Sequence, residues 1–304
     1  MKILITGAKG QLGNELQDII NSGKAEIGQV SELIIKSEVI PLDIDELDIT
    51  NLEMVKAKLN KLKPDVIINC AAATNVDGCE NNQDFAFKVN SIGPRNLAIV
   101  SEKIGAKLVQ VSTDYVFSGV GNKPLTEYDL TTPYSVYGKT KLLGENYVRE
   151  FSSKYFIVRT AWLYGHIGNN FVYTMRRLAK EKDMITVVND QKGNPTYAND
   201  LAYHILKLLQ TEEYGIYHCT GKGECTWYDF AKMIIELSGE NCKVTACTSE
   251  EYKTLAKRPK YSSLDNVMFR YTVGDEMRDW KDAIKSFINN KIDSNYNYRD
   301  GVRE

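Results

Sequence analysis

Apolar residues along this chain switch repeatedly between two spacings. "MKILITG" is a continuous apolar run that stops at Gly7, and "GQLGNELQDII" then carries apolar residues three and four apart. The first reads as a buried strand and the second as a helix, joined by a tight turn. A polar stretch from about Asn21 follows, then a second strand in "EVIPLD". In "TNLEMVKAKLNKL", Thr50 and Glu53 stand at capping-box spacing and predict the start of the next helix. "PDVIINCAAA" and "AKLVQVSTD" are two more buried-type strands, separated by a helical stretch from about Phe85 to Ile104. "YFIVRTAWLYG" is another strand, after a helix that contains Tyr137. Strands alternating with helices predict an α/β fold with a doubly wound parallel sheet of the Rossmann kind.

From about residue 165 the pattern loosens. Helices persist in "NNFVYTMRRLAKEKD" and "TWYDFAKMIIELSG", but strands shorten, and "LAKRPKYSSLD" is irregular and basic. The expected organisation is a dinucleotide-binding domain over 1–164 and a smaller C-terminal α/β substrate domain over 165–288, interleaved with the last sheet strands. Residues 289–304 are expected to form a flexible tail.

Composition narrows the function classes. Of 304 residues, 43% are hydrophobic and 26% charged, the balance of an ordinary globular protein. A net charge of −2 gives no broad cationic field, so neither nucleic acid nor an anionic membrane is an expected partner. No apolar run approaches the roughly 20 residues of a membrane span, and the chain enters a strand at once, so cytoplasmic residence is expected. The six cysteines form no C-x-x-C pair and the three histidines are scattered. No metal site is expected from them.

The candidate chemistry begins in "TGAKGQLG", where Gly7, Gly10 and Gly13 lie between the first strand and the first helix. The turn must be sharp, must let a pyrophosphate approach the backbone, and must offer the helix's unpaired N–H groups to an anion. Asp43, at the end of the second strand, is the candidate ribose ligand, delayed by the polar insert. Asp45 and Glu46 nearby, with no Arg or Lys closely following Asp43, predict NADH in preference to NADPH, with NADPH still admissible.

Tyr137 and Lys141 in "PYSVYGKTKLLGE" are four apart and share a helical face. Alone the pair is equally an exposed helix surface. The strand "VQVSTD" changes that reading, because it ends in Ser112 and Thr113 where a doubly wound sheet opens onto its ligand crevice. Carbonyl reduction needs a proton donor for the new alkoxide. In this reading Tyr137 is the acid, Lys141 lowers its pKa and holds ribose, and Thr113 bonds the carbonyl oxygen.

The ordered set "TGAKGQLG", "NCAAATNVD", "STDYVFSG", "YGKTK", "RTAWLYG", "GNNFV", "NDQKGNPTYANDLA", "GIYHCTGKGECTWYDFA" and "KRPKYSSLD" resembles the dTDP-4-dehydrorhamnose reductases of the extended short-chain dehydrogenase/reductase family. The resemblance runs from residue 1 to about 288. It implies nicotinamide-dependent reduction of the 4-keto group of dTDP-4-dehydro-L-rhamnose, so the expected partner is a nucleotide sugar. It places cofactor contacts on Gly10, Gln11, Leu12, Asp43, Asp48, Ile49, Ala72, Ala73, Thr74, Val111, Tyr137 and Lys141. Substrate contacts fall on Thr113, Asp114 and Trp162, with Trp162 an apolar wall for the 6-deoxysugar. Arg258, before Pro259, is implied to reach the nucleotide diphosphate. Some members bridge a dimer through Mg²⁺. Glu15 matches one ligand position, but Asn199 stands where an acid is expected, so no metal-bridged dimer is predicted and a homodimer is left open.

Other reactions share these motifs. Related dehydratases carry Thr-Asp-Glu where this chain has Thr113, Asp114 and Tyr115, which argues against dehydration. An epimerase acting on another nucleotide sugar, a reductase of another 4-ketosugar, and a non-catalytic regulator like that of methionine adenosyltransferase remain the competing readings.

Overall fold

The computed structural model describes residues 1–291. Its central sheet has six strands, all parallel: β1 (Lys2–Thr6), β2 (Glu38–Leu42), β3 (Val66–Asn69), β4 (Lys107–Thr113), β5 (Tyr155–Thr160) and β6 (Gly215–His218). Their spatial order is β6-β5-β4-β3-β1-β2. The order reverses at β1, so the crevice beyond the carboxyl ends of β1, β3 and β4 is the expected ligand site of such a sheet.

Parallel strands covered on both faces must be apolar throughout, and β1 buries every residue after Lys2. Ile3, Ile5, Ile68, Val109 and Val158 point to one face, where they meet α1 (Gln11–Ser22). Leu4, Ile67, Leu108 and Ile157 point to the other, toward α2 (Leu52–Leu62), α3 (Gly93–Ile104) and α4 (Val136–Phe151). Asn51, not Thr50, caps α2, its side chain accepting the Met54 N–H at 3.1 Å. A one-residue shift is enough to move the cap between two equally suitable side chains.

Beyond residue 165 the chain contributes to both bodies of the molecule. Its α6 (Ala198–Leu208) packs on α1 and β6 completes the sheet. The helices α5 (Phe171–Glu181), α7 (Trp227–Ser238) and α8 (Trp280–Lys291) enclose a separate core with Tyr164, Phe230 and Phe287. Residues 289–291 of the expected tail are helical, and the remainder lies outside the described residues.

The polar insert after Asn21 forms a short hairpin, and Glu26 at its tip is a hub. It accepts hydrogen bonds from Tyr197 at 2.9 Å, Arg278 at 3.0 Å and Ser286 at 2.7 Å. Beside it, Asn199 donates to Glu15 at 3.1 Å, so these two positions are coupled directly. Among the described residues, no helix is long and apolar enough to cross a membrane.

Candidate active site

The first turn is shaped by what glycine lacks. Gly7 has φ +61°, and a Cβ there would stand 2.7 Å from the Ala71 nitrogen. At Gly13 a Cβ would meet the Gly7 carbonyl oxygen at 2.5 Å. Helix α1 thus starts tight against β1. Its cap residue, Gly10, offers no side chain to the first N–H groups, and the first turn carries no acid. Those N–H groups and the positive helix end are therefore free for an anion. The donor set fits a dinucleotide pyrophosphate.

Asp43 closes the next side of the turn. Its Oδ2 accepts the Lys9 N–H at 2.9 Å and its Oδ1 the Ile44 N–H at 2.8 Å. Asp48 is turned onto Thr50, accepting its N–H and hydroxyl. Lys9 extends from the glycine turn to Asp45, with Nζ 3.1 Å from the carboxylate and most of the side chain exposed. That cation precedes Asp43 by 34 residues, and only the β1–β2 pairing brings it there.

Beyond β3 and β4 the cleft deepens to about 840 Å³. Gly7, Gly10, Gln11, Leu12, Gly13, Asp43, Asp48, Ile49, Ala72, Thr74, Val111, Thr113, Asp114, Tyr137, Lys141, Trp162 and Arg258 all line it. Ala73 does not. Its peptide is taken up by the Asn90 side chain, which accepts its N–H at 2.9 Å and donates to its carbonyl at 3.1 Å. Asn90 therefore fixes the peptide of Ala73 between the lining residues Ala72 and Thr74.

Helix α4 begins at Ser135, whose hydroxyl caps the Gly138 N–H at 3.1 Å. This start orients Tyr137 and Lys141 toward the end of β4. Burial raises the Tyr137 pKa, and the neighbouring Thr113 hydroxyl works against that rise. Lys141 is 4% exposed and donates to the Val111 carbonyl at 2.6 Å. Burial pulls its pKa down to about 8, and the charge of Glu145, one turn further along α4, opposes the fall. Glu145 is itself held by the Ser112 hydroxyl at 2.5 Å and by Arg159 at 2.7 Å, both buried.

Thr113 donates its hydroxyl to Asp114 at 2.9 Å. Asp114 is 2% exposed, and burial lifts its carboxyl to about 6. Tyr115, next along, meets the Tyr137 ring edge-on at 5.5 Å. It also accepts a hydrogen bond from Arg258 at 3.3 Å, while Arg258 pairs with Asp77 at 2.7 Å. On the opposite wall Trp162 adopts φ +48°, a conformation costly for a bulky side chain. Trp227, at the start of α7, stacks on it with centroids 3.5 Å apart and planes within 6°. Lys9, Asp77 and Trp227 had no local mark in the sequence.

Comparison with known proteins gives the chain's family. The family described as RmlD substrate binding domain matches residues 1–292. A dTDP-4-dehydrorhamnose reductase of Aggregatibacter actinomycetemcomitans is 41% identical over 298 residues, covering 94% of this chain and 97% of that protein. A solved dTDP-4-dehydrorhamnose reductase from Clostridium acetobutylicum ATCC 824 is 53% identical with TM-score 0.89, covering 95% of this chain and 98% of that one. Another, from Bacillus anthracis str. Ames in complex with NADP, is 42% identical with TM-score 0.88, covering 94% and 98%. The expected preference for NADH finds no support, since that relative is in complex with NADP, and the Lys9 ammonium, paired with Asp45, stands on the same rim as Asp43. With the doubly wound sheet, the glycine turn and the continuous match, this chain belongs to the RmlD family, that of the dTDP-4-dehydrorhamnose reductases.

Proposed function

We propose that this protein reduces the 4-keto group of dTDP-4-dehydro-L-rhamnose to give dTDP-L-rhamnose, with NADPH or NADH as reductant. The observation that carries the reading is the meeting of Tyr137, Thr113 and Lys141 in a cleft continuous with the glycine turn. The dinucleotide, when bound, supplies the hydride to C4. Tyr137 gives its phenolic proton to the oxygen that becomes the hydroxyl, and solvent replaces that proton. The Lys141 ammonium favours the tyrosinate left behind. Thr113 steadies the carbonyl oxygen, and the Trp162–Trp227 stack forms a flat apolar wall for the deoxysugar. Arg258, on its Asp77 partner, is positioned for the diphosphate. Lys9 can turn from Asp45 to a 2′-phosphate, which is why NADPH is included.

The test follows NADPH and NADH absorbance with the ketosugar nucleotide, for wild type and Tyr137→Phe. Wild type consumes cofactor, and the variant is slower by about 10²–10⁴-fold. No oxidation by wild type overturns the reading. Equal rates would remove Tyr137 as the acid.

A further inference from the structure

The motif "GNNFV" supplies no group to the reaction, yet its second asparagine, Asn170, holds three segments at once. It stands just before α5 and is not among the residues that line the cleft. One of its amide N–H groups donates to the Gly165 carbonyl at 2.8 Å, and the other to the Gln11 Oε1 at 3.1 Å, 159 positions away. Its Oδ1 accepts the Tyr173 N–H at 3.1 Å and so caps α5. An asparagine side chain has two donors and one oxygen, and all three are engaged here. Aspartate lacks the donors, and the longer glutamine is a poor cap.

Gln11 is the first residue of α1, and its backbone N–H is one of those left for the pyrophosphate. Gly10 gives that helix no side-chain cap, and a capping oxygen would compete with the anion. The bond from Asn170 restrains the start of α1 from the side and leaves those N–H groups open. The loop from Gly165 to Asn170 runs along the Gln11 side chain: a Cβ on Gly165 would stand 3.6 Å from its Oε1, and one on Gly168 would stand 3.7 Å from its Cγ. Gly168 itself lines the cleft. On the other side of the same amide, α5 opens with Phe171, whose ring centroid lies 4.5 Å from that of Trp227. Trp227 in turn stacks on Trp162.

We propose that Asn170 is a positioning residue that sets both sides of the cleft with one amide: a donor holds the glycine turn through Gln11, and the oxygen holds the tryptophan wall through the start of α5. It touches neither ligand and moves no proton. A turn already held in its binding geometry loses less freedom when the dinucleotide arrives. One amide hydrogen bond used in this way is worth about 3–10-fold in affinity. The inference rests on the reductase reading for the identity of the two ligands.

Asn170→Ser separates the two roles, because serine caps a helix about as well as asparagine but its hydroxyl ends short of Gln11. By calorimetric titration its Kd for NADPH rises about 3–10-fold, while its KM for the ketosugar nucleotide at saturating NADPH stays within about twofold of wild type. Gln11→Ala gives the same rise in Kd, and the double variant gives no more than either alone, as one shared bond requires. Asn170→Ala also loses the cap, so its urea midpoint falls below that of Asn170→Ser and its KM rises as well. A Kd for Asn170→Ser within about twofold of wild type overturns the proposal, and so do additive losses in the double variant. A joint rise of Kd and KM in Asn170→Ser also overturns it, by making the residue a general prop of the fold. Wild type that binds NADPH but turns over no ketosugar removes the substrate reading alone, and the Kd comparisons still decide the role of Asn170. Wild type that binds no NADPH overturns both.

Discussion

The three glycines of the first turn are not equivalent, and their replacement by alanine separates packing from mere composition. At Gly13 the new methyl would stand 2.5 Å from the Gly7 oxygen, 2.8 Å from the Ala8 Cα and 2.9 Å from the Ala8 oxygen. All three are backbone atoms, so no side chain can swing aside, and α1 must move off the turn by several tenths of an ångström. Overpacking of this kind costs about 1–3 kcal/mol. Alanine's helix propensity returns about 1 kcal/mol, so the loss of stability is partly masked. Cofactor affinity has no such offset if the proposed binding mode holds, because the moved atoms are those that would face the pyrophosphate. At about 1.4 kcal/mol per factor of ten, the Kd for NADPH rises roughly 5–100-fold. Gly7→Ala adds a φ of +61° to a contact of 2.7 Å with the Ala71 nitrogen, and is at least as damaging. Gly10→Ala meets only the Gly7 oxygen at 3.2 Å, with an ordinary φ of −77°, so its Kd stays within about threefold of wild type. Calorimetric titration with NADPH and urea midpoints for all three variants give the comparison. Equal losses of affinity in Gly10→Ala and Gly13→Ala would refute the steric argument.

Two pH effects follow from the buried charges. Lys141 carries its charge below about 8 and loses it above, so kcat/KM falls as pH rises through that value; a profile flat to pH 9.5 would remove Lys141 as the activating cation. Asp114 binds its proton more tightly folded, at about 6, than unfolded, near 3.8, so its stabilising effect is complete below 3.8 and is lost as pH rises through 6. The shift is worth about 3 kcal/mol, and urea unfolding of Asp114→Asn should lack that decline relative to wild type between pH 4 and 7. Parallel curves would contradict it.

What the sequence revealed was what lies within one turn or one strand. The run ending at Gly7 and the four-residue spacing of Tyr137 and Lys141 are local patterns, and both survive folding unchanged. Lys9 was invisible because its neighbour Asp43 is 34 positions away, joined by strand pairing. Asp77 meets Arg258 across 181 positions, and nothing along the chain marks either as the other's partner. Trp227 reads as an amphipathic helix residue until α7 sets it on Trp162. Ala73 is a further case, since "CAAAT" gives no reason to choose among its alanines, and the Asn90 clamp that holds one of their peptides lies 17 positions away.

The inward face of α4 explains why this helix resists reading by hydrophobic pattern. A helix against a sheet ordinarily buries an apolar stripe. Here Tyr137, Lys141 and Glu145 lie on one stripe, four residues apart, with Lys141 and Glu145 nearly inaccessible. Burying two such charges is tolerable because every step is answered: Lys141 by the Val111 carbonyl, Glu145 by Ser112 and Arg159. Burial pulls the Lys141 ammonium down to about 8 and the charge of Glu145 opposes the fall, which leaves it charged at neutral pH yet close to titration. The departure of this stripe from the apolar rule is therefore itself the mark of the site, because the sheet supplies partners for those charges only where β4 and β5 end beneath the cleft.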